Sequence, residues 1–193
     1  MNAELKNYLA QVKLGDAKTY KHITIVPLTG PTNGEPNYLT LAEAIETGQF
    51  TVTEVSQGGS VPELKVINRL AQSVLLLDGE ELLGAKQNRV LNTTILLKES
   101  SETVVPVSCT EHGRWAYASA AFSSSDVIMA HKVRSRQSSS VSRSLEAGAH
   151  YQSDQGEVWE GIAALHEKVG SHTRRPAPCT TPMSSARRIW RRP

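Results

Sequence analysis

Two β-branched apolar runs, residues 90–97 (VLNTTILL) and 103–107 (TVVPV), constrain this chain more than any other feature. They are short and rich in Val, Thr, Ile and Leu, so they read as core strands. Only the KESSE stretch, residues 98–102, separates them, which predicts an antiparallel hairpin. Each further paired residue carries both strands about 3.4 Å from the turn, so the far ends of the runs should meet. Those far ends are densely polar. On one side stand Asp78, Gly79, Glu80 and Glu81, then Gly84, Ala85, Lys86, Gln87, Asn88 and Arg89. On the other stand Cys109, Thr110, Glu111, His112, Gly113, Arg114 and Trp115. Rigid strands behind and charged heads in front are what a binding or catalytic pocket requires.

The rest of the chain supplies a frame for this region. Residues 5–14 carry a weak helical period (Leu5, Leu9, Val12), and residues 22–28 alternate as a strand. Residues 29–37, rich in Gly, Pro and Asn, form a loop. A helix follows over residues 40–46, with Thr40 as N-cap, Glu43 completing a capping box and Gly48 ending it. Strands are predicted over 50–55, 64–68 and 74–77, the last apolar enough to be central, with a turn at 57–60. Asp78-Gly79 is a hairpin-type turn signal. Residues 116–125 are small and Ser-rich, hence irregular; helices are predicted over 138–147 and 155–169. Strands come first and helices last. The fold class is therefore α+β, a largely antiparallel β-sheet core with a helix near 40–48 and C-terminal helices.

Length favours a single domain, placed at residues 1–172 of the 193. Two cysteines, Cys109 and Cys179, offer neither a disulfide framework nor a zinc signature, and the six histidines show no ligand spacing. No metal and no cofactor is expected, and neither a P-loop nor a dinucleotide fingerprint is present. The start, MNAELK, lacks a secretory pattern, and no apolar run approaches the roughly 18–20 residues of a membrane span. A cytoplasmic protein without a membrane partner is expected.

The net charge of +2 conceals two regions of opposite character. Arg174, Arg175, Arg187, Arg188, Arg191 and Arg192 all lie near the end, and without those six the charge of +2 becomes −4. Residues 173–193 also lose their acids and gain Pro176, Pro178 and Pro182, which block a helix. This stretch reads either as a disordered basic tail or as a frameshifted C-terminus. The second reading has a trace in the residues: one back-translation of 178–186, read from its third base, encodes MHDAYEQR, a mixed-charge helical string. A nucleic-acid partner is expected only if the basic tail is genuine.

Several side chains could carry chemistry. Cys109, near His112, has the makings of a thiolate, but it shares a strand face with Val105 and Val107 and packs more naturally as a small hydrophobe. Arg114 beside Trp115 could hold a phosphate or carboxylate while the ring stacks on a base. Lys86, Gln87, Asn88 and Arg89 alternate cations with amides, which suits an anionic, hydrogen-bonding ligand or equally a solvated face with an amide satisfying turn backbone; in a strand, Lys86 and Asn88 would face one way, Gln87 and Arg89 the other. Glu81 and Glu111 are the candidate acid–base catalysts. Lys132, Arg134, Arg136 and Arg143, mixed with serines, could touch phosphates but read more naturally as a solvated loop.

The segments Gly79-Glu80-Glu81-Leu82, Gly84 to Arg89, and Val105-Pro106-Val107-Ser108-Cys109 with Glu111, Gly113, Arg114 and Trp115 resemble a bacterial family. It is the ARG and Rhodanese-Phosphatase-superfamily-associated protein domain family. The resemblance runs from about Tyr20 to Trp159; Thr110 departs from it, and the stretch from Thr173 does not share it. The family takes its name from genomic neighbours, ADP-ribosylglycohydrolases and rhodanese/phosphatase-superfamily proteins. It implies a role around NAD-derived or ADP-ribosylated metabolites and brings no assigned catalytic residues. The expected function is binding or processing of a nucleotide-type small molecule, with ADP-ribose or an NAD derivative as candidates. Lys86, Arg89 and Arg114 would hold phosphates, Trp115 would stack, and Glu81 or Glu111 would do any acid–base work. The alternative is a non-catalytic interaction or sensing module whose polar cluster is structural.

Overall fold

The computed structural model describes residues 2–31, 37–111 and 115–169. They fall into two compact units, one ending at Asn37 and the other starting at Tyr38. The first contains helix α1 (Ala3–Leu9) and the short strands β1 (Lys13–Leu14), β2 (Lys18–Tyr20), β3 (Ile23–Ile25) and β4 (Leu28–Thr29). β2 and β3 form an antiparallel hairpin, and β1 pairs with β4. None of its described residues is buried. The helix predicted over 5–14 stops at Leu9, since so short an apolar stripe gains little without a core to cover. The strand predicted over 22–28 breaks around Pro27, which has no N–H to give a ladder.

The second unit begins with β5 (Tyr38–Thr40), α2 (Leu41–Glu46), β6 (Phe50–Glu54), β7 (Glu63–Asn68) and β8 (Ser73–Leu76). It continues with β9 (Glu80–Gly84), β10 (Arg89–Leu91), β11 (Ile95–Leu97), β12 (Ser101–Cys109), β13 (Phe122–Ile128), α3 (His131–Glu146) and α4 (Gln155–Val169). Six strands form an antiparallel sheet in the order β13-β9-β10-β12-β7-β6. A smaller sheet, β11-β8-β5, has β8 at its centre and one parallel pair, β5 with β8. The class is α+β with mostly antiparallel pairing.

Local signals place α2 as expected. The Thr40 N–H and Oγ1 both donate to the Glu43 carboxylate, at 2.9 and 2.7 Å, and Gly48 past the helix end has φ +70°. Strand alternation sets the two faces of the large sheet. Phe50, Val52, Leu64, Val66, Leu82, Leu91, Val105 and Val107 join Leu41 and Ala44 of α2 in one core. β13 also approaches β6, so the sheet curls around this core. Val90 points to the opposite face and packs with Met129, Val133 of α3, and Val158 and Ile162 of α4.

Five expectations need correction. Residues 90–97 are two strands in different sheets, β10 and β11, because Asn92 and Thr94 give their side chains to other segments. The hairpin with β12 forms only at its far end, Arg89↔Cys109 to Leu91↔Val107; the near end of β12 pairs with β7. Asp78-Gly79 likewise joins the two sheets and does not close a hairpin between β8 and β9. Gly79, at φ +81°, is required there twice over, since a Cβ would stand 2.9 Å from Arg134 Cδ. Residues 122–125, expected to be irregular, belong to β13, whose pairing with β9 is interrupted before Ile128. α3 starts at His131 rather than residue 138: its buried stripe, Val133, Gln137, Ser140 and Val141, is half polar and hides the period.

Candidate functional site

The inner face of the curled sheet is apolar along its length and charged at one end. Phe50, Val52 and Glu54 share that face of β6, so its apolar stripe ends in a carboxylate that is 8% exposed. β10 opens with Arg89, which is 0% exposed and is the register partner of Cys109. Arg89 Nη1 donates to Gln87 Oε1 at 3.0 Å and to Cys109 Sγ at 2.9 Å. The Cys109 thiol donates to the same Gln87 oxygen at 3.0 Å. Arg89 Nη2 lies 3.9 Å from Glu54 Oε1, an ion pair too long for a hydrogen bond. Among the described residues, Arg89 Nε, Arg89 Nη2 and Glu54 Oε2 have no hydrogen-bond partner. Buried charged groups in that condition are costly.

Between β9 and β10 the chain does not continue as a strand with alternating faces. Gly84 (φ +122°) and Ala85 (φ +41°) bend it into a tight loop. The loop is tied down on several sides. The Gly84 N–H donates to Asn88 Oδ1 at 3.2 Å and the Lys86 N–H to Glu54 Oε1 at 3.3 Å. The Asn88 N–H donates to Glu111 Oε2 at 2.8 Å and Gln87 Nε2 to the Glu111 carbonyl at 3.2 Å. Lys86 and Gln87 are therefore buried and form no solvated face.

The Lys86 ammonium donates to the Gly58 carbonyl at 2.6 Å and lies 5.2 Å from the ring centroids of both Trp115 and Tyr117. Those rings are 46% and 54% exposed. The Arg89 guanidinium stands 5.6 Å from the Trp115 centroid. Gly59, with φ +75°, lies over the group: a Cβ there would be 3.3 Å from Glu54 Oε2 and from Trp115, and 3.2 Å from Lys86. Tyr117 Oη donates to the Gln57 carbonyl at 3.3 Å.

The structure thus gathers Lys86, Gln87, Asn88, Arg89, Glu111 and Trp115. Glu81 is not with them. It is the register partner of Val90, on the helix-packed face, is 2% exposed, and accepts from Thr110 Oγ1 at 3.0 Å. Arg114, with His112 and Gly113, lies outside the described residues. The Cys109 thiol is pushed above its ordinary value by burial, an effect partly offset by Arg89. It is held as a thiol and is poorly suited to nucleophilic attack. Lys132, Arg136 and Arg143 are exposed, as expected, but they stand on helix α3 and not on a loop; Arg134 pairs bidentately with Asp78 at 2.7 and 2.9 Å, and Arg143 meets Glu157 at 2.7 Å.

Sequence reasoning missed Glu54, Gly58, Gly59 and Tyr117. Glu54 carried a readable signal, as the charged end of the Phe50-Val52 alternation. Gly58-Gly59 was legible only as a turn, and Tyr117 lay in a stretch with no pattern.

A second polar network is buried on the opposite face of β12. Asn92 Oδ1 accepts from Ser108 Oγ at 2.7 Å and from Gln137 Nε2 at 2.9 Å, while Asn92 Nδ2 donates to the Tyr151 carbonyl at 3.0 Å. Ser108 also bonds Ser153. The Gln155 amide clamps Cys109 from both sides, accepting its N–H at 2.7 Å and donating to its carbonyl at 2.8 Å. No group of three or more metal-binding side chains occurs among the described residues, and none of their helices is long and apolar enough to cross a membrane.

The chain belongs to the family of the ARG and Rhodanese-Phosphatase-superfamily-associated Protein domain, whose model matches residues 11–188. The match covers Lys86 to Arg89 and Glu111 to Trp115 and extends past both ends of the expected span; contrary to expectation, it includes the arginine-rich stretch as far as residue 188. Both readings of residues 173–193 concern residues outside the described ones. No curated protein and no solved structure matches the chain.

Proposed function

We propose that this member of the family binds a nucleotide-type metabolite at the Lys86–Trp115–Tyr117 mouth, with ADP-ribose or an NAD derivative as candidates. One observation carries the reading: a buried ammonium is flanked at 5.2 Å by two half-exposed aromatic rings. Aromatic faces accept a base, at about 1–3 kcal/mol per stacked base, and adjacent cations attract phosphates. The link to ADP-ribose chemistry rests only on the genomic neighbours after which the family is named. A processing role would fall to Glu111, which borders the Lys86 loop, and not to Glu81 across the sheet.

A specific observation also favours the non-catalytic alternative, a sensing or interaction module. Gln87, Asn88 and Glu111 bond one another, so they brace the loop instead of presenting free groups. Both readings share a bound ligand or partner at the mouth, and catalysis separates them. Thermal-shift titration with ADP-ribose, NAD and related nucleotides tests the first. A ligand at a hundredfold its Kd should add about 2.7 kcal/mol. The gain should vanish in Trp115→Ala, and a flat Tm for every nucleotide would remove the proposal.

A further inference from the structure

The geometry points to a second element of this site: the Nε/Nη2 edge of Arg89 is a receptor for an oxyanion, a phosphate or carboxylate group, roofed by residues 55–62. The inference rests on the reading that this mouth takes a ligand. It supplies the chemical class of the group bound deepest.

Three features support it. The first is the shape of the donors. Nε and Nη2 form the parallel pair with which a guanidinium grips two oxygens of one anion. In Arg89 both lack a partner among the described residues, while Nη1, which points away, is fully occupied by Gln87 and Cys109. The arginine is therefore fixed from one side and left without hydrogen bonds on the other. The second is the position of Glu54. A carboxylate committed to this arginine would close to about 2.8 Å. Glu54 Oε1 stays at 3.9 Å, accepts the Lys86 N–H, and leaves Oε2 unbonded. Glu54 balances the charge of Arg89 without filling its hydrogen bonds. The third is access. Arg89 is wholly buried, and the Trp115 ring that stands 5.6 Å from its guanidinium is half-exposed. Lys86 holds the Gly58 carbonyl, Tyr117 holds the Gln57 carbonyl, and Gly59 lies against Trp115 and Glu54. The latches on residues 55–62 are thus the same side chains that face a ligand at the mouth. An anion that draws Lys86 to itself releases Gly58 and opens the way to Arg89.

Glu54 and Glu111 are the carboxylates facing this pair of cations, and Glu111 is held by the Asn88 N–H. Glu54 is then the group that opposes an incoming anion. Glu54→Gln keeps an oxygen for the Lys86 N–H and removes the charge, so it should tighten oxyanion binding.

The test is isothermal titration of the full chain with inorganic phosphate and, separately, with acetate, at ionic strength fixed by sodium chloride. The wild type should saturate with one of the two anions, Glu54→Gln should bind it at least fivefold more tightly, and Arg89→Gln should not bind it. The preferred anion assigns the oxyanion to a phosphate or to a carboxylate. Should Arg89→Gln fail to fold, the comparison of wild type with Glu54→Gln still decides. Equal affinity in those two, or no saturation by either anion, overturns the inference. Nucleotide binding that neither substitution alters would overturn it while leaving the proposed function standing. Phosphate binding that Glu54→Gln tightens, with no response to any nucleotide, would do the reverse.

Discussion

Two polar networks lie buried on opposite faces of β12, and they treat their hydrogen bonds differently. On the helix-packed face, Asn92, Ser108, Gln137, Ser153 and Gln155 are neutral and bonded to one another or to main chain. None of their buried side-chain atoms lacks a partner among the described residues. On the inner face, Arg89 and Glu54 are charged, nearly touching and incompletely bonded. On the function proposed above, the difference separates a structural network from a ligand-binding one. A closed neutral network joins α3 and α4 to the sheet and offers nothing to a ligand. An open charged one is a poor way to hold a fold, because its cost is recovered only when something completes it.

The sharpest way to break this comparison is to remove one charge. Arg89→Met leaves Glu54 buried without its cation and should cost about 3–5 kcal/mol in chemical denaturation. The double variant Arg89→Met with Glu54→Leu should recover most of that, since well-packed apolar groups commonly replace a buried pair without loss. If the single substitution proved neutral, the inner cluster would not be the charged, dry environment described.

The neutral network should respond in stability alone. Asn92→Ala strips partners from Ser108, Gln137 and the Tyr151 carbonyl, and a loss of about 2–3 kcal/mol is expected. The thermal shift produced by a bound nucleotide should be unchanged. A lost ligand response in a still-folded variant would mean that the two networks are coupled through β12.

Smaller effects test the surface of the helix-packed side. Asp78→Asn weakens the bidentate pair with Arg134, which is partly exposed, so about 1 kcal/mol is an upper expectation. The Arg134 hydrogen bonds hold the Asp78 carboxyl below its ordinary value of 3.8. A depressed carboxylate stabilises the fold above the unfolded value and ceases to as pH falls through the folded one. The gap between wild type and Asp78→Asn should therefore close as acid denaturation proceeds below pH 3.8. Glu80 has the opposite sign: burial raises its carboxyl above 4.5, so the folded state holds the proton more tightly than the unfolded chain. Its contribution is lost as pH rises from 4.5 through the folded value, and Glu80→Gln should flatten stability over that window. A steeper profile in Glu80→Gln would contradict the assignment.

Much of the fold was legible because several elements announce themselves locally. The α2 capping box, the alternation of β6 and β7 and the start of α4 at Gln155 needed no tertiary information. The split of residues 90–97 could not be read, since what ends β10 is the bonding of Asn92 to Ser108, Gln137 and Tyr151, all distant in sequence. The site was half legible for the same reason. Composition drew attention to Lys86 through Arg89 and to Trp115. Burial of Lys86 depends on Gly58, and the isolation of Glu81 depends on which face of β9 meets the helices. Face assignment follows from period two only once one strand is anchored, and Leu82 and Val90 supplied that anchor in the folded protein.

The curl of the large sheet also orders events in time. Glu54 lies on the edge strand β6, and β7 and β12 stand between it and β10, where Arg89 is found. No ladder hydrogen bond joins β6 to β10, so ladder formation alone does not bring the two charges together. They meet when the sheet rolls up, after the pairing of β6 with β7, of β7 with β12 and of β12 with β10 has fixed its strands. Chain closures between distant segments are the slow part of folding. The Arg89–Glu54 contact is accordingly a marker of completion: in pulse-labelling hydrogen exchange the amides of β6 and β7 should gain protection before that of Lys86, which donates to Glu54. A Lys86 amide protected in the earliest phase would show that the charged mouth forms before the barrel-like curl that it closes.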